Sequence, residues 1–185
     1  MTYILIDTAN TFFRSRHVIN GSADIKLGMA FHITLNSIKK AWQDFDGSHL
    51  VFCLEGRSWR KDYYAPYKRN RAEARAAASE REQEEDRIFW EAFDTFKEFL
   101  IEKTNATVLH HPTLEADDLI AGFIQNHPND EHIIISTDSD FYQLIAPNVR
   151  QYNGVSEQTI TIDGVFDKKG KRVVDKKTKD RKSVV

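Results

Sequence analysis

Seven acidic residues stand where apolar runs of this chain begin or end. Asp7 closes YILID (3–7), Glu55 closes HLVFCLE (49–55), and Asp138 closes EHIIISTD (131–138), with Asp140 just beyond. Glu115, Asp117 and Asp118 crowd into four positions of TLEADDLIAGFI, after a weaker apolar run, ATVLHH (106–111). Like charges this close cannot all ionise unless something neutralises them. The natural neutraliser is a hard divalent cation with oxygen ligands, and Mg²⁺ fits because it keeps waters and needs few carboxylates. This many acids suggests two ions, which in phosphoryl-transfer sites sit roughly 3.5–4 Å apart, one activating a water and one stabilising the leaving oxygen. A structural reading competes. Acids in a helix's first turn complement its dipole by about 0.3–1 kcal/mol, which alone could explain EADD. TDSD could be a turn in which Asp140 caps a helix FYQLI. Acids at four successive strand ends argue against capping alone, since strand ends carry no comparable dipole.

Other chemistries find less support. His110 and His111 are adjacent, with no partner at zinc-ligand spacing. No nucleophile-elbow motif accompanies the seven histidines, and no Gly-rich loop suggests use of a nucleoside triphosphate.

The four apolar runs read as strands buried on both faces. Between them lie helical patterns over 30–45, 86–100 and 119–124. Strand and helix in alternation predict an α/β domain with a mainly parallel sheet. In such a sheet the ligand crevice lies outside the carboxyl ends of the strands, so all seven acids would gather at one edge. Residues 67–85, YKRNRAEARAAASEREQEE, are rich in helix formers but polar almost all round, which predicts an exposed helix or a segment ordered by a partner. After Pro147, VRQYNG, QTITIDG and KKGKRVV read as short strands of an edge hairpin, and DKKTKDRKSVV reads as a disordered tail.

A chain of 185 residues with 41% hydrophobic content predicts one domain with its own core. The single cysteine, Cys53, excludes an internal disulfide and reads as a buried small hydrophobe. No apolar run approaches the roughly 18 residues of a membrane span, and MTYILIDTAN lacks the basic region of a signal peptide, so a cytoplasmic location is expected. The net charge of −2 hides an uneven distribution. Residues 167–185 hold nine Lys/Arg against three acids, a net of +6, which leaves −8 for the rest. Within that acidic body, 57–75 carries a net of +5. Basic stretches flanking an acidic pocket suit a phosphate-containing partner, although any one basic run is more often a solvated face.

With these residues in view, the chain resembles the phage and bacterial 5′-nucleases: flap endonucleases, 5′→3′ exonucleases and the related phage ribonuclease H, within the PIN-like superfamily. The resemblance runs from Tyr3 to about Tyr152 and rests on ILIDTANTFFR, VFCLEGRSWRKDYYAPYKRNR, LEADDLIA and STDSDFYQL, the last two being the most specific. It implies a three-layer PIN-like domain over 1–166, with a helical arch insertion at about 61–90, a C-terminal β-hairpin, and a basic hairpin and tail over 167–185. It further implies a first metal site from Asp7, Glu55, Glu115, Asp117 and Asp118, extended toward a second by Asp138 and Asp140. Mg²⁺ is the implied cofactor, with Mn²⁺ as a substitute. Lys68 would approach the scissile phosphate and, with Asp118, serve catalysis. Arg60, Lys68, Arg69 and Arg71 would contact nucleic acid, and Tyr67 would stack on a terminal base. The arch would be threaded by a single-stranded 5′ end, which accounts for a helix without an apolar face. The implied substrates are DNA with a 5′ flap or 5′ end, and possibly an RNA–DNA hybrid, during replication or repair. A monomer in a bacterial or phage-infected cell, with replication proteins as partners and no membrane, completes the picture.

Two departures stand out. Glu55 occupies the place of a family Asp, on a longer arm. The family's further acidic motif, roughly GDxxDN in a helix–hairpin–helix region, would begin where this chain ends at Val185. A fragment is therefore expected, whose first metal site survives while its second is weak. Rival readings are a PIN-type ribonuclease and a catalytically silent, structure-specific nucleic-acid binder.

Overall fold

A computed structural model describes residues 1–18 and 21–173, without the side chains of 15–18, 71, 72 and 75. The elements run β1 (Thr2–Asp7), α1 (Thr8–Val18), α2 (Ala23–Asp44), β2 (His49–Cys53), α3 (Arg60–Tyr63), α4 (Arg69–Ala76), α5 (Glu80–Lys103), β3 (Thr107–Leu109), α6 (Ala116–Asn126), β4 (Glu131–Ile135), β5 (Val149–Asn153), β6 (Gln158–Thr161) and β7 (Gly164–Phe166), with a 3₁₀ turn at Ser139–Leu144. They form one seven-stranded sheet in the order β3-β2-β1-β4-β5-β6-β7. Strands β3, β2, β1, β4 and β5 run parallel, and β6 and β7 return antiparallel.

The continuous apolar runs are buried on both faces. Ile4 and Ile6 of β1 pack with Ile38 and Ala41 of α2 and with Phe96 and Leu100 of α5, whereas Leu5 packs with Ile120 of α6 on the opposite face. A third cluster joins Phe12, Phe89 and Phe93, all essentially buried. Three layers result: α2 and α5, the sheet, and α6. The connections β1–β2 and β2–β3 step the sheet one way, and α6 returns the chain to β4 on the other side of β1. Strand order therefore reverses between β1 and β4, which makes their carboxyl ends the expected ligand crevice.

One helix is unanticipated and two local expectations are corrected. No element is read from the pattern of 8–18, and α1 forms there, its burial resting on the tertiary cluster around Phe12 rather than on a clear stripe. The polar stretch 67–85 is not one helix. It breaks between α4 and α5, where Ser79 and Glu82 form a reciprocal capping box that starts α5. KKGKRVV is not a strand: a turn at Asp167–Gly170 leads to a single bridge between Phe166 and Arg172. The expected hairpin is instead built by β5, β6 and β7. The expected disordered tail, from 174 on, lies outside the described residues.

Candidate active site

Parallel strands carry the acids to one edge. Asp7 is the last residue of β1, Glu55 lies two residues past β2, and Asp138 three past β4. Glu115, after β3, is the N-cap of α6, with Asp117 and Asp118 in its first turn. Asp7, Glu55, Glu115, Asp117, Asp138 and Asp140 line a single open pocket of about 590 Å³. Asn10, Phe13, Tyr67, Lys68, Arg69 and Trp90 share its walls.

Local packing explains how the segment after β2 reaches this pocket. The backbone of 56–59 pairs with the loop after β3: Gly56, Arg57 and Trp59 donate to the carbonyls of Leu114, Pro112 and Thr113, each at 2.8 Å. A side chain at Gly56 would lie 2.0 Å from the His111 carbonyl oxygen, so only glycine permits that pairing. The pairing brings buried Ser58 to donate to Glu115 Oε2 at 2.8 Å.

The pocket divides into two electrostatic halves. On one side, protein cations neutralise the acids. Arg60 grips Asp118 with both arms, at 2.7 and 2.9 Å, and reaches Glu115 at 3.1 Å. Lys68 pairs with Glu115 Oε1, and Tyr67 donates its hydroxyl to Glu115 Oε2 at 2.9 Å. Burial pushes the Glu115 carboxyl up, but Lys68, Ser58 and Tyr67 together hold it below its ordinary range. Asp118 is likewise held low by Arg60. Among the described residues the other half has no such ion pair, although the Lys68 charge nearby draws Glu55 and Asp117 down. Burial raises Asp7 to about 7, opposed by the Ser136 hydroxyl at 2.8 Å and reinforced by the charges of Asp117 and Glu55. Glu55 and Asp117 are also raised, chiefly by burial, with Asp138 adding to Asp117.

Several expected roles look different in three dimensions. Asp118 does not line the main pocket but an adjoining one, which Asp117 and Asp140 also reach; it is held by Arg60 and accepts the Glu115 N–H at 3.1 Å. Arg60, expected at nucleic acid, is turned inward onto these acids and stacks on Trp59. The 3₁₀ turn is capped by Asp138, which accepts the Asp140 N–H at 2.9 Å, so Asp138 and not Asp140 is the capping residue. Arg69 is exposed and pairs with Glu73, one turn on. The Arg71 side chain lies outside the described residues. Lys68 adopts a left-handed backbone with φ of 54°, an uncommon state for a lysine and one that costs free energy.

Sequence reasoning missed Phe13 and Trp90, whose rings lie 4.5 Å apart on the pocket wall. It also missed Ser58 and Ser136, which hold Glu115 and Asp7. Only contacts far apart along the chain reveal them.

As to a metal, every acidic donor facing the pocket is a carboxylate oxygen, the chemistry of a hard divalent cation. Among the described residues, no group of three or more His, Cys, Asp or Glu side chains is arranged to hold a metal ion by itself. The residues fit such a cation in the chemistry of their donors alone; as placed, no three of them converge on one point, so water would have to supply much of its shell.

The family model of the 5′-3′ exonuclease N-terminal resolvase-like domain matches residues 2–170. The chain belongs to this family. Among curated relatives, this exonuclease-family domain is 31% identical over 172 residues to the ribonuclease H of Enterobacteria phage T4, covering 86% of this chain and 52% of that protein. It is 27% identical over 165 residues to the flap endonuclease Xni of Shewanella loihica, covering 87% of this chain and 59% of that one. The chain therefore spans about half the length of the curated relatives it matches. Its fold is shared with T5 5′-exonuclease bound to divalent zinc, at a TM-score of 0.73 and 23% identity, covering 88% of this chain and 58% of that one. A pseudo-enzyme-product complex of the bacteriophage T5 flap endonuclease with DNA and metal ions superposes at a TM-score of 0.70 and 22% identity, over 88% and 58% of the two chains. Among the described residues, no helix is long and apolar enough to cross a membrane.

Proposed function

We propose that this domain is the catalytic part of a divalent-metal-dependent 5′-nuclease, which hydrolyses phosphodiester bonds near 5′ ends or flaps of DNA or RNA–DNA. The observation that carries this reading is the half-pocket of Asp7, Glu55 and Asp117, where burial and mutual repulsion outweigh the hydrogen bonds and the nearby Lys68 charge, at the point where strand order reverses. Burying carboxylates without a paired cation is costly, so a site that does so is suited to a cationic ligand.

Asp7, Glu55, Asp117, Asp138 and Asp140 are the residues that would hold the metal, with Glu115 beside them. Bound Mg²⁺, or Mn²⁺ in its place, would supply charge neutralisation and activation of water. The chain's own groups do the rest. Lys68 moves from Glu115 to a phosphate oxygen and stabilises charge that grows as the bond breaks. Tyr67, Phe13 and Trp90 offer ring faces to bases at the pocket rim, and Arg69 and Arg71 meet flanking phosphates. Asp118 acts through Arg60 and Glu115, keeping the wall in place. The catalytic domain extends over 1–166 with its arch at about 61–90, and the segment 167–185 is rich in basic residues. We read the protein as a monomer working in the cytoplasm with replication proteins, in keeping with its family.

A second reading has support of its own: Arg60 and Lys68 already occupy part of the acidic wall, as in a silent structure-specific binder. Incubating the protein with 5′-flap DNA and with single-stranded RNA, in Mg²⁺ and in Mn²⁺, separates the readings. Cleavage of flap DNA that EDTA abolishes is the expected result. Cleavage of RNA alone would favour a PIN-type ribonuclease. Flap binding without cleavage of either would favour the silent binder.

A further inference from the structure

The loop 136–140 carries two pocket carboxylates and is anchored from below by a residue outside the acidic motifs. Gln151, on β5, is 1% exposed. Its amide nitrogen donates to two backbone carbonyls of that loop, Ser136 at 3.0 Å and Asp138 at 2.7 Å. Carbonyl oxygens can only accept, so the nitrogen must face them and the amide oxygen must point the other way. That Oε1 is buried and has no partner among the described residues. An orphaned buried acceptor is a cost that a core position normally avoids. An apolar residue of similar size would carry no such acceptor, but it would leave the two loop carbonyls without their donor.

The two carbonyls belong to residues that set the pocket. The Ser136 hydroxyl donates to Asp7 Oδ2 at 2.8 Å and accepts the Asp138 N–H at 3.0 Å. Asp138 in turn accepts from Asp140. The loop is held from its other side by Asn10 of α1, whose Oδ1 accepts from the Thr137 backbone at 3.2 Å and the Thr137 hydroxyl at 2.9 Å. Gln151 and Asn10 thus clamp three successive loop residues, and through Ser136 the clamp spans the gap between β1 and β4.

From this geometry we infer that Gln151 is a positioning residue. It fixes the distance between Asp7 and Asp138, and so sets the affinity of the pocket for a divalent cation without touching the cation. The inference rests on the nuclease reading of the pocket. Residues behind first ligands commonly change metal affinity by about 10–100-fold when removed, and a change in that range is expected for Gln151→Met.

The test compares wild type, Gln151→Met and Gln151→Leu by calorimetric titration of Mn²⁺, and by thermal melting in EDTA. The expected outcome is a loss of Mn²⁺ affinity of at least tenfold in both variants, while the metal-free melting temperature stays within a few degrees. Unchanged affinity would overturn the inference. So would a fall in melting temperature that accounts for the affinity loss, since Gln151 would then be only a core residue. If the wild type binds no Mn²⁺ at all, the metal reading of the pocket fails and this inference fails with it, an outcome distinct from equal binding by all three proteins.

Discussion

Replacing Asp7 by Asn should make the metal-free protein more stable, by an amount that grows as pH rises from about 4 to 7. Asp7 is 3% exposed, and its carboxyl is raised from 3.8 to about 7, first by burial and then by Asp117 and Glu55. In the unfolded chain the group ionises near its ordinary value. Because the folded value is the higher one, each step of pH above about 4 favours the unfolded state, until the folded group also ionises near 7. A difference of roughly 3 units at about 1.36 kcal/mol each gives a ceiling of about 4 kcal/mol lost across that window. Asparagine has the same shape and no charge. Its oxygen can keep the Ser136 hydroxyl bond, while its nitrogen would face the Asn10 N–H, which now makes a long contact of 3.4 Å. Losing that contact costs about 1 kcal/mol at most. A net gain of about 3 kcal/mol at pH 8 is therefore expected, falling through pH 6 to a loss of about 1 kcal/mol at most below pH 4. Urea unfolding of both proteins in EDTA at pH 4, 6 and 8 measures it. The comparison is a difference between two proteins, so Glu115 and Asp118, whose lowered values work in the opposite sense, largely cancel. A variant less stable at pH 8, or a difference independent of pH, would refute the reasoning.

The remaining predictions concern the pocket walls. Lys68→Ala should lower kcat on flap DNA by about 100-fold or more while substrate affinity changes only a few-fold, because the interaction belongs to the transition state; equal losses in both would contradict the role. Asp117→Asn and Asp118→Asn should part company in the metal-free protein. The first relieves repulsion and leaves the melting temperature equal or higher, whereas the second breaks the Arg60 fork and costs about 1.5–3 kcal/mol; identical shifts would show that the two halves of the pocket are not electrostatically distinct. Tyr63 and Tyr64 are 87% and 60% exposed on the basic rim, beside Trp59 at 44%. Tyr63→Ala with Tyr64→Ala should weaken binding of single-stranded DNA by about fivefold or more, at the low end of a stacking contribution of about 1–3 kcal/mol per base; fluorescence anisotropy showing no change would remove them from the strand's path.

The layout of layers, and the edge on which chemistry gathers, were legible in the chain alone. Short apolar runs such as YILI and III, rich in Ile and alternating with helical patterns, suit strands covered on both faces, so β1 and β4 and the parallel sheet could be read directly. The acids that end those runs had to meet at one edge once the strands ran parallel. Tertiary structure alone decided which of the acids is paired with a cation. Asp117 and Asp118 are neighbours in sequence and equal in type, yet successive helix positions point about 100° apart, so one faces the pocket and the other faces Arg60. The N-terminal helix was illegible because Phe12 is buried by α2 and α5 rather than by any stripe of its own. Gln151 and Ser136 were illegible for the same physical reason: their partners lie on other strands and loops. A hydrogen bond across the sheet leaves no periodicity in the chain that makes it, and those bonds are what hold Asp7 and Asp138 in place.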